Sequence, residues 1–139
     1  MPNLVETTVR VRYAETDRMG VAYYANHFIW FEVGRIEWFR ENGFVYKEME
    51  EQDGAYIIVA EARCSYKAPV RYDDLLVVRT WLQEARTRTI SFSYEILRQP
   101  EGTLLATGET THVITDRTGR PRTLPDRYRA LFSLAPPAE

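Results

Sequence analysis

The sequence predicts an α+β fold in which a five-stranded antiparallel sheet wraps around one long central helix. Three observations carry this: one stretch, 26–42, that is apolar around most of its circumference, five runs with a two-residue hydrophobic period, and the order strand, helix, four strands. A helix this apolar has to be enclosed, and an antiparallel sheet with one dry face has to cover something. A helix lying on a flat sheet would leave Trp30 or Trp38 in water, at roughly 1.5–3 kcal/mol each. The 139 residues (16.3 kDa, 45% hydrophobic) suit one domain over 1–139, with 132–139 a short tail ending in the Pro-rich Ala135-Pro136-Pro137-Ala138-Glu139.

Along the chain, residues 4–13 alternate, with Val5, Thr7, Val9, Val11 and Tyr13 on one face and Glu6, Thr8, Arg10 and Arg12 on the other, as a half-buried strand requires. The helix follows over 26–42, with Asn26 as its N-cap and Asn42-Gly43 as its stop, about 25 Å long at 1.5 Å per residue. Gly34 would let the sheet approach closely. Four further strands fall at 56–67, 75–84, 89–98 and 104–115, separated by Ala68-Pro69, by residues 85–88 and by the turn Gln99-Pro100-Glu101-Gly102. Pro125 opens a short terminal helix over 125–132.

Composition excludes several classes. Eighteen basic against 20 acidic residues leave no field suited to nucleic acid, and the uncharged run 20–31 falls well short of the roughly 20 apolar residues a membrane span requires. Lys47 and Lys67 are the only lysines, so the basic set is nearly all arginine, the side chain suited to forked contacts with phosphate or carboxylate. A lone Cys64 makes no intrachain disulfide, and residues 1–6 show no basic head followed by an apolar stretch, so a reducing cytoplasm is the expected location. The serine-hydrolase elbow, the phosphate loop, the dinucleotide fingerprint and spaced metal ligands around Cys64, His27 and His112 are all missing. His112 is expected to be an ordinary strand residue. His27, in the first helical turn, is expected to be neutral and structural, because the helix dipole there disfavours a cation.

What remains is the connection 13–26, Tyr13-Ala14-Glu15-Thr16-Asp17-Arg18-Met19-Gly20-Val21-Ala22-Tyr23-Tyr24-Ala25-Asn26. It carries two carboxylates, a glycine that permits a bend, and a helix N-terminus whose free amides can hold a developing negative oxygen. A carboxylate facing an oxyanion site is a hydrolytic arrangement, although Asp17 and Glu15 could equally satisfy turn amides.

The run 11–27, continued by Phe31-Glu32-Val33-Gly34-Arg35, resembles the signature of the hot-dog acyl-CoA thioesterases of the 4-hydroxybenzoyl-CoA thioesterase and YbgC type. A second motif, Tyr66-Lys67-Ala68-Pro69-Val70-Arg71-Tyr72-Asp73-Asp74-Leu75, is similar to the family's third segment, so the likeness spans nearly the whole chain. The resemblance implies a hot-dog fold and hydrolysis of an acyl- or aryl-CoA to free acid and CoA. Asp17 takes the place of the catalytic carboxylate, as nucleophile or general base, and the backbone N–H of Tyr24 that of the donor polarising the carbonyl. Tyr13 matches a family tyrosine near the carboxylate, and Gly20 and Asn26 join it in the substrate-binding set. The YbgC branch usually carries His where this chain has Tyr24. Another hot-dog branch places its carboxylate on the central helix, making Glu32 the rival to Asp17, but Glu32 is expected to pair with Arg35.

Arginines at loop edges suit the three CoA phosphates: Arg86 and Arg88 in one hairpin, and Arg117, Arg120 and Arg122 around Gly119. The resemblance further implies a homodimer or homotetramer with CoA at the subunit boundary and no cofactor, since coenzyme A is part of the substrate. The alternative is a non-catalytic hot-dog domain that binds acyl-CoA or acyl-carrier protein. A dehydratase fits poorly, because neither His27 nor His112 lies in the motif such chemistry uses.

Overall fold

In the computed structural model, which describes residues 3–135, the strands are β1 (Val5–Arg10), β2 (Tyr56–Tyr66), β3 (Leu75–Ala85), β4 (Thr89–Gln99) and β5 (Thr103–Thr115). The helices are α1 (Asn26–Glu41) and α2 (Tyr46–Asp53), with 3-10 segments at Tyr13–Glu15 and Asp126–Leu134. All pairings are antiparallel, in the order β1-β3-β4-β5-β2. The chain therefore leaves one edge of the sheet as β1 and re-enters at the opposite edge as β2, and α1 crosses the buried face between them. Register breaks at Val59/Glu61, Leu82/Glu84 and Ile96/Leu97 add the local bending a sheet needs to curl around a helix.

Alternation decides what goes inside: Leu76, Val78 and Leu82 of β3 and Phe92, Tyr94 and Ile96 of β4 are buried beneath Trp30, Phe31, Trp38 and Phe39 of α1. The Phe31 ring stacks on Tyr94 at 4.4 Å. Two glycines make this approach possible. A Cβ at Gly34 would overlap Thr80 Oγ1 and lie 2.9 Å from Val78 Cγ1, and one at Gly108 would overlap the Phe31 ring.

Several expectations need correction. β1 stops at Arg10 because Val11 exchanges backbone hydrogen bonds with Asp74 and Asp73 (2.9 and 3.0 Å), after which a 3-10 turn takes Tyr13 out of the strand. Asn26 is not the N-cap: Ala25 precedes the helix, and Asn26 is its first residue. Nor is α1 enclosed all round, since Ile29, Glu32 and Val33 remain exposed on the face away from the sheet. The α2 helix has no counterpart in the sequence reading. Apart from Tyr46, which packs edge-on against Phe39, and the buried Met49 it is polar, so hydrophobic periodicity is silent there, although the left-handed Gly54 (φ 61°) ending it is a usable stop signal. The terminal segment extends through Leu134 and buries Tyr128 and Leu131, so the tail begins later than 132, and its end at 136–139 lies outside the described residues.

Candidate active site

The connection after β1 is anchored by Glu15, not by Asp17. The Glu15 carboxylate, 5% exposed, accepts the Arg12 amide (2.7 Å) and the Trp30 indole N–H (3.1 Å), and Arg12 Nε lies 3.5 Å away. Its carbonyl accepts the Tyr23 amide (2.8 Å) and the Asn26 side-chain amide (2.7 Å), so Asn26 serves as a strut from the helix to the loop. Glu15→Ala would strip a buried indole N–H and a backbone amide of their acceptors. We expect it to lower stability by about 1–3 kcal/mol, read from the urea midpoint.

Residues 16–22 form a small hairpin. Thr16 and Ala22 make an antiparallel bridge, Asp17 N–H donates to the Val21 carbonyl (2.8 Å), and Gly20 N–H donates to the Asp17 carbonyl (3.1 Å) with Gly20 at φ 80°. That left-handed conformation is why a glycine stands there, and its structural task is the turn itself. The Asp17 carboxylate is exposed and accepts the Met19 amide at 2.8 Å.

Directly across the hairpin, Val21 and Ala22 line a cleft of about 350 Å³ that Tyr24, His27, Tyr66 and Lys67 also border. Asp17 itself stands beside this cleft rather than in its wall. The Tyr23–Tyr24 peptide is held by the bond from the Asn26 amide to the Tyr23 carbonyl (2.9 Å), which points the Tyr24 N–H the opposite way; among the described residues that amide has no acceptor. The Tyr24 carbonyl accepts two hydrogen bonds, from the Tyr66 hydroxyl (2.8 Å) and from His27 Nδ1 (3.0 Å). Burial pushes the Tyr66 hydroxyl up to about 12, so it stays protonated and able to donate. The Tyr24 side chain is 60% exposed against the Tyr23 ring (4.8 Å). Tyr13 is 77% exposed and meets Tyr72 edge-on at 5.7 Å.

Other candidates lie elsewhere. Arg86, Arg88 and Arg120 sit where β3 and β4 meet the end of β5, whereas Tyr66 pairs with Ala106 near its start. Ala106 and Val113 are seven positions apart along β5, about 23 Å, so one chain does not bring these arginines to the Tyr24 cleft. Arg86 pairs instead with Glu84, and the Arg120 amide caps Asp116 (3.0 Å). Cations beside the cleft are Lys67 and, bridging Val21, Arg71; both stand in the second motif, which was the signal that could have found them. Glu32 borders a separate groove of about 490 Å³ with Arg40, Tyr46 and Glu50. It forms no ion pair with Arg35, which turns inward, 7% exposed, and donates to the Tyr94 hydroxyl (3.1 Å).

His112 is fully buried, with Nε2 on Thr110 Oγ1 (2.8 Å). Burial first, then the Arg35 charge, pulls its pKa down to about 3. Between pH 6.5 and about 3 the unfolded chain therefore binds a proton there that the folded chain refuses, so this residue makes stability fall as pH drops through that window. His112→Gln should flatten that part of a plot of urea midpoint against pH; an unchanged slope would deny His112 the effect.

The sheet wrapped on α1 and the loop feeding the helix start agree with the family that the sequence matches over residues 11–132, the thioesterase-like superfamily. The chain belongs to this superfamily, a class of thioester hydrolases with the hot-dog fold. It is 37% identical over 109 residues to YneP of Bacillus subtilis, covering 78% of each chain. It is 33% identical over 125 residues to the acyl-CoA thioester hydrolase YbgC of Escherichia coli O6:H1, covering 89% of this chain and 92% of that one. The solved DHNA-CoA thioesterase of Staphylococcus aureus superposes with a TM-score of 0.85 at 35% identity, covering 91% of this chain and 84% of that one. Among the described residues no helix is long and apolar enough to cross a membrane.

Proposed function

We propose that this chain hydrolyses the thioester of an acyl- or aryl-CoA, with Asp17 as nucleophile or general base and the Tyr24 amide polarising the carbonyl. The observation that carries this is the pairing of an exposed carboxylate, across a tight hairpin from the cleft wall, with an outward-facing amide at the start of α1. A thioester carbonyl is more electrophilic than that of an ester or amide, so one carboxylate suffices without a triad. Tyr24, Tyr66 and Pro69 give the cleft aromatic and apolar walls suited to an aryl group. Lys67 and Arg71 are the cations best placed for CoA phosphates within one chain; Arg86, Arg88 and Arg120 would reach them only from a second copy.

Assembly as a homodimer or homotetramer is part of this proposal. Exposed Ile29 and Val33 on α1 and Ile58 and Val59 on the edge strand β2 support it. The cytoplasm is the proposed location, and no cofactor is required. Thiol release from a panel of aliphatic and aryl acyl-CoAs tests the activity. Turnover of at least one is the expected result; no release from any, with a raised Tm on adding acyl-CoA, would instead favour a binding domain. Glu32→Gln should leave kcat within about threefold, since Glu32 faces the other groove, whereas general acid–base residues are worth about 100-fold or more.

A further inference from the structure

We propose that His27 is the base that activates the hydrolytic water, accepting its proton at Nε2, which leaves Asp17 the role of nucleophile. This rests on the acyl-CoA hydrolase reading above and settles which of its two routes is used.

The geometry fixes the tautomer. A carbonyl oxygen can only accept, so the ring nitrogen 3.0 Å from the Tyr24 carbonyl, Nδ1, carries the proton, and Nε2 carries the lone pair. The ring is only 3% exposed, yet it lines the 350 Å³ cleft, and Nε2 takes no hydrogen bond from any described residue. Two ring contacts hold its plane: Tyr66 of β2, edge-on at 4.7 Å, and Trp30 of its own helix, tilted at 5.0 Å. A buried polar ring that is locked at one nitrogen and unpartnered at the other, beside a cavity, is set up to receive a donor from that cavity.

The charged and titratable groups facing the ring are Tyr24 from the loop, Tyr66 from β2, with Cys64 beside it, and Lys67 just beyond that strand. Asp17 is itself acylated when water attacks, and no other carboxylate stands among the described residues lining the cleft, which leaves Nε2 to take the proton. Burial lowers the imidazole pKa, the bond to the Tyr24 carbonyl opposing it, which keeps the ring neutral at physiological pH.

The steps balance. An Asp17 oxygen bonds to the acyl carbon, the C–S bond breaks, and its electron pair leaves on sulfur, which takes a proton from solvent. Water held at Nε2 then gives that nitrogen a proton as its oxygen bonds to the acyl carbon. The bond from that carbon to Asp17 breaks, returning its pair to the carboxylate, and Nε2 loses its proton to solvent.

His27→Asn separates this role from a structural one, because the short amide can still donate to the Tyr24 carbonyl but is no base. With benzoyl-CoA as the first probe, followed by the same acyl-CoA panel, we expect this variant to keep the wild-type Tm and to lose about 100-fold or more in kcat. The acid limb of kcat, expected below pH 6.5 in the wild type because His27 acts after CoA has left, should vanish with it. Unchanged kcat and an unchanged limb in His27→Asn would overturn the proposal while leaving acyl-CoA hydrolysis intact. A wild type inactive on every acyl-CoA would remove the activity and this role together. Should the variant fail to fold, the nitrogen-15 spectrum of the wild type decides: a proton on Nδ1 alone at pH 7.5 supports the assignment, and one on Nε2 overturns it.

Discussion

Asp17→Asn should reduce kcat for acyl-CoA hydrolysis by about 100- to 10,000-fold while leaving the fold intact. Asparagine keeps an oxygen able to accept the Met19 amide, so the turn that the carboxylate closes at 2.8 Å survives the change. The hairpin bond from the Asp17 amide to the Val21 carbonyl is made by the backbone and does not depend on the side chain. What is lost is an anionic oxygen that can attack the acyl carbon or take a proton. A steady-state thiol-release assay reads the loss, and circular dichroism with a thermal scan checks the fold. Equal turnover by the two proteins would remove Asp17 from the chemistry.

The second large effect is on stability. Gly34→Ala places a methyl group on Thr80 Oγ1 and Val78 Cγ1, both buried side chains of the interior strand β3. Alanine gains up to about 1 kcal/mol of helix propensity over glycine, but overpacking a core of this kind costs about 1–3 kcal/mol. β3 is hydrogen-bonded on both edges, to β1 and β4, so it cannot retreat without disturbing the sheet. The clash wins, and Tm should fall by several degrees with a lower urea midpoint. A Tm equal to or above that of the wild type would mean that Thr80 turns aside at no cost.

Most of the fold was legible in the sequence because the strands and α1 announce themselves by period. Ile90, Phe92, Tyr94 and Ile96 alternate inward, and the aromatic residues of α1 recur on the face that meets them. Gly34 was legible for the same reason: a glycine in an apolar helix implies close approach. Boundaries were less so. Tyr13 continues the alternation of β1 on paper, but the Arg12 and Glu15 contact closes a turn that hydrophobicity cannot register. The polar α2 helix was invisible to any pattern resting on burial.

At the candidate site, the sequence singles out the stretch 13–26 but not the different tasks of the residues within it. Glu15 and Asp17 are two residues apart and chemically alike, yet Glu15 is buried under Trp30 and Asp17 faces solvent, a difference set by tertiary contacts alone. Arg35 was assigned to Glu32 from helical spacing, whereas its position on the sheet side of α1 sends it to Tyr94. The bond from His27 Nδ1 to the Tyr24 carbonyl spans three residues, but whether the other nitrogen meets a cavity depends on β2, nearly 40 positions downstream.

The most direct test is the structure of Asp17→Asn bound to an intact acyl-CoA. The thioester oxygen should lie about 3 Å from the Tyr24 amide nitrogen, as an oxyanion donor requires, with the side chain at position 17 against the acyl carbon. A thioester seated instead in the groove beside Glu32 and Arg40, with the Tyr24 amide facing solvent, would contradict the assignment of this loop as the catalytic centre.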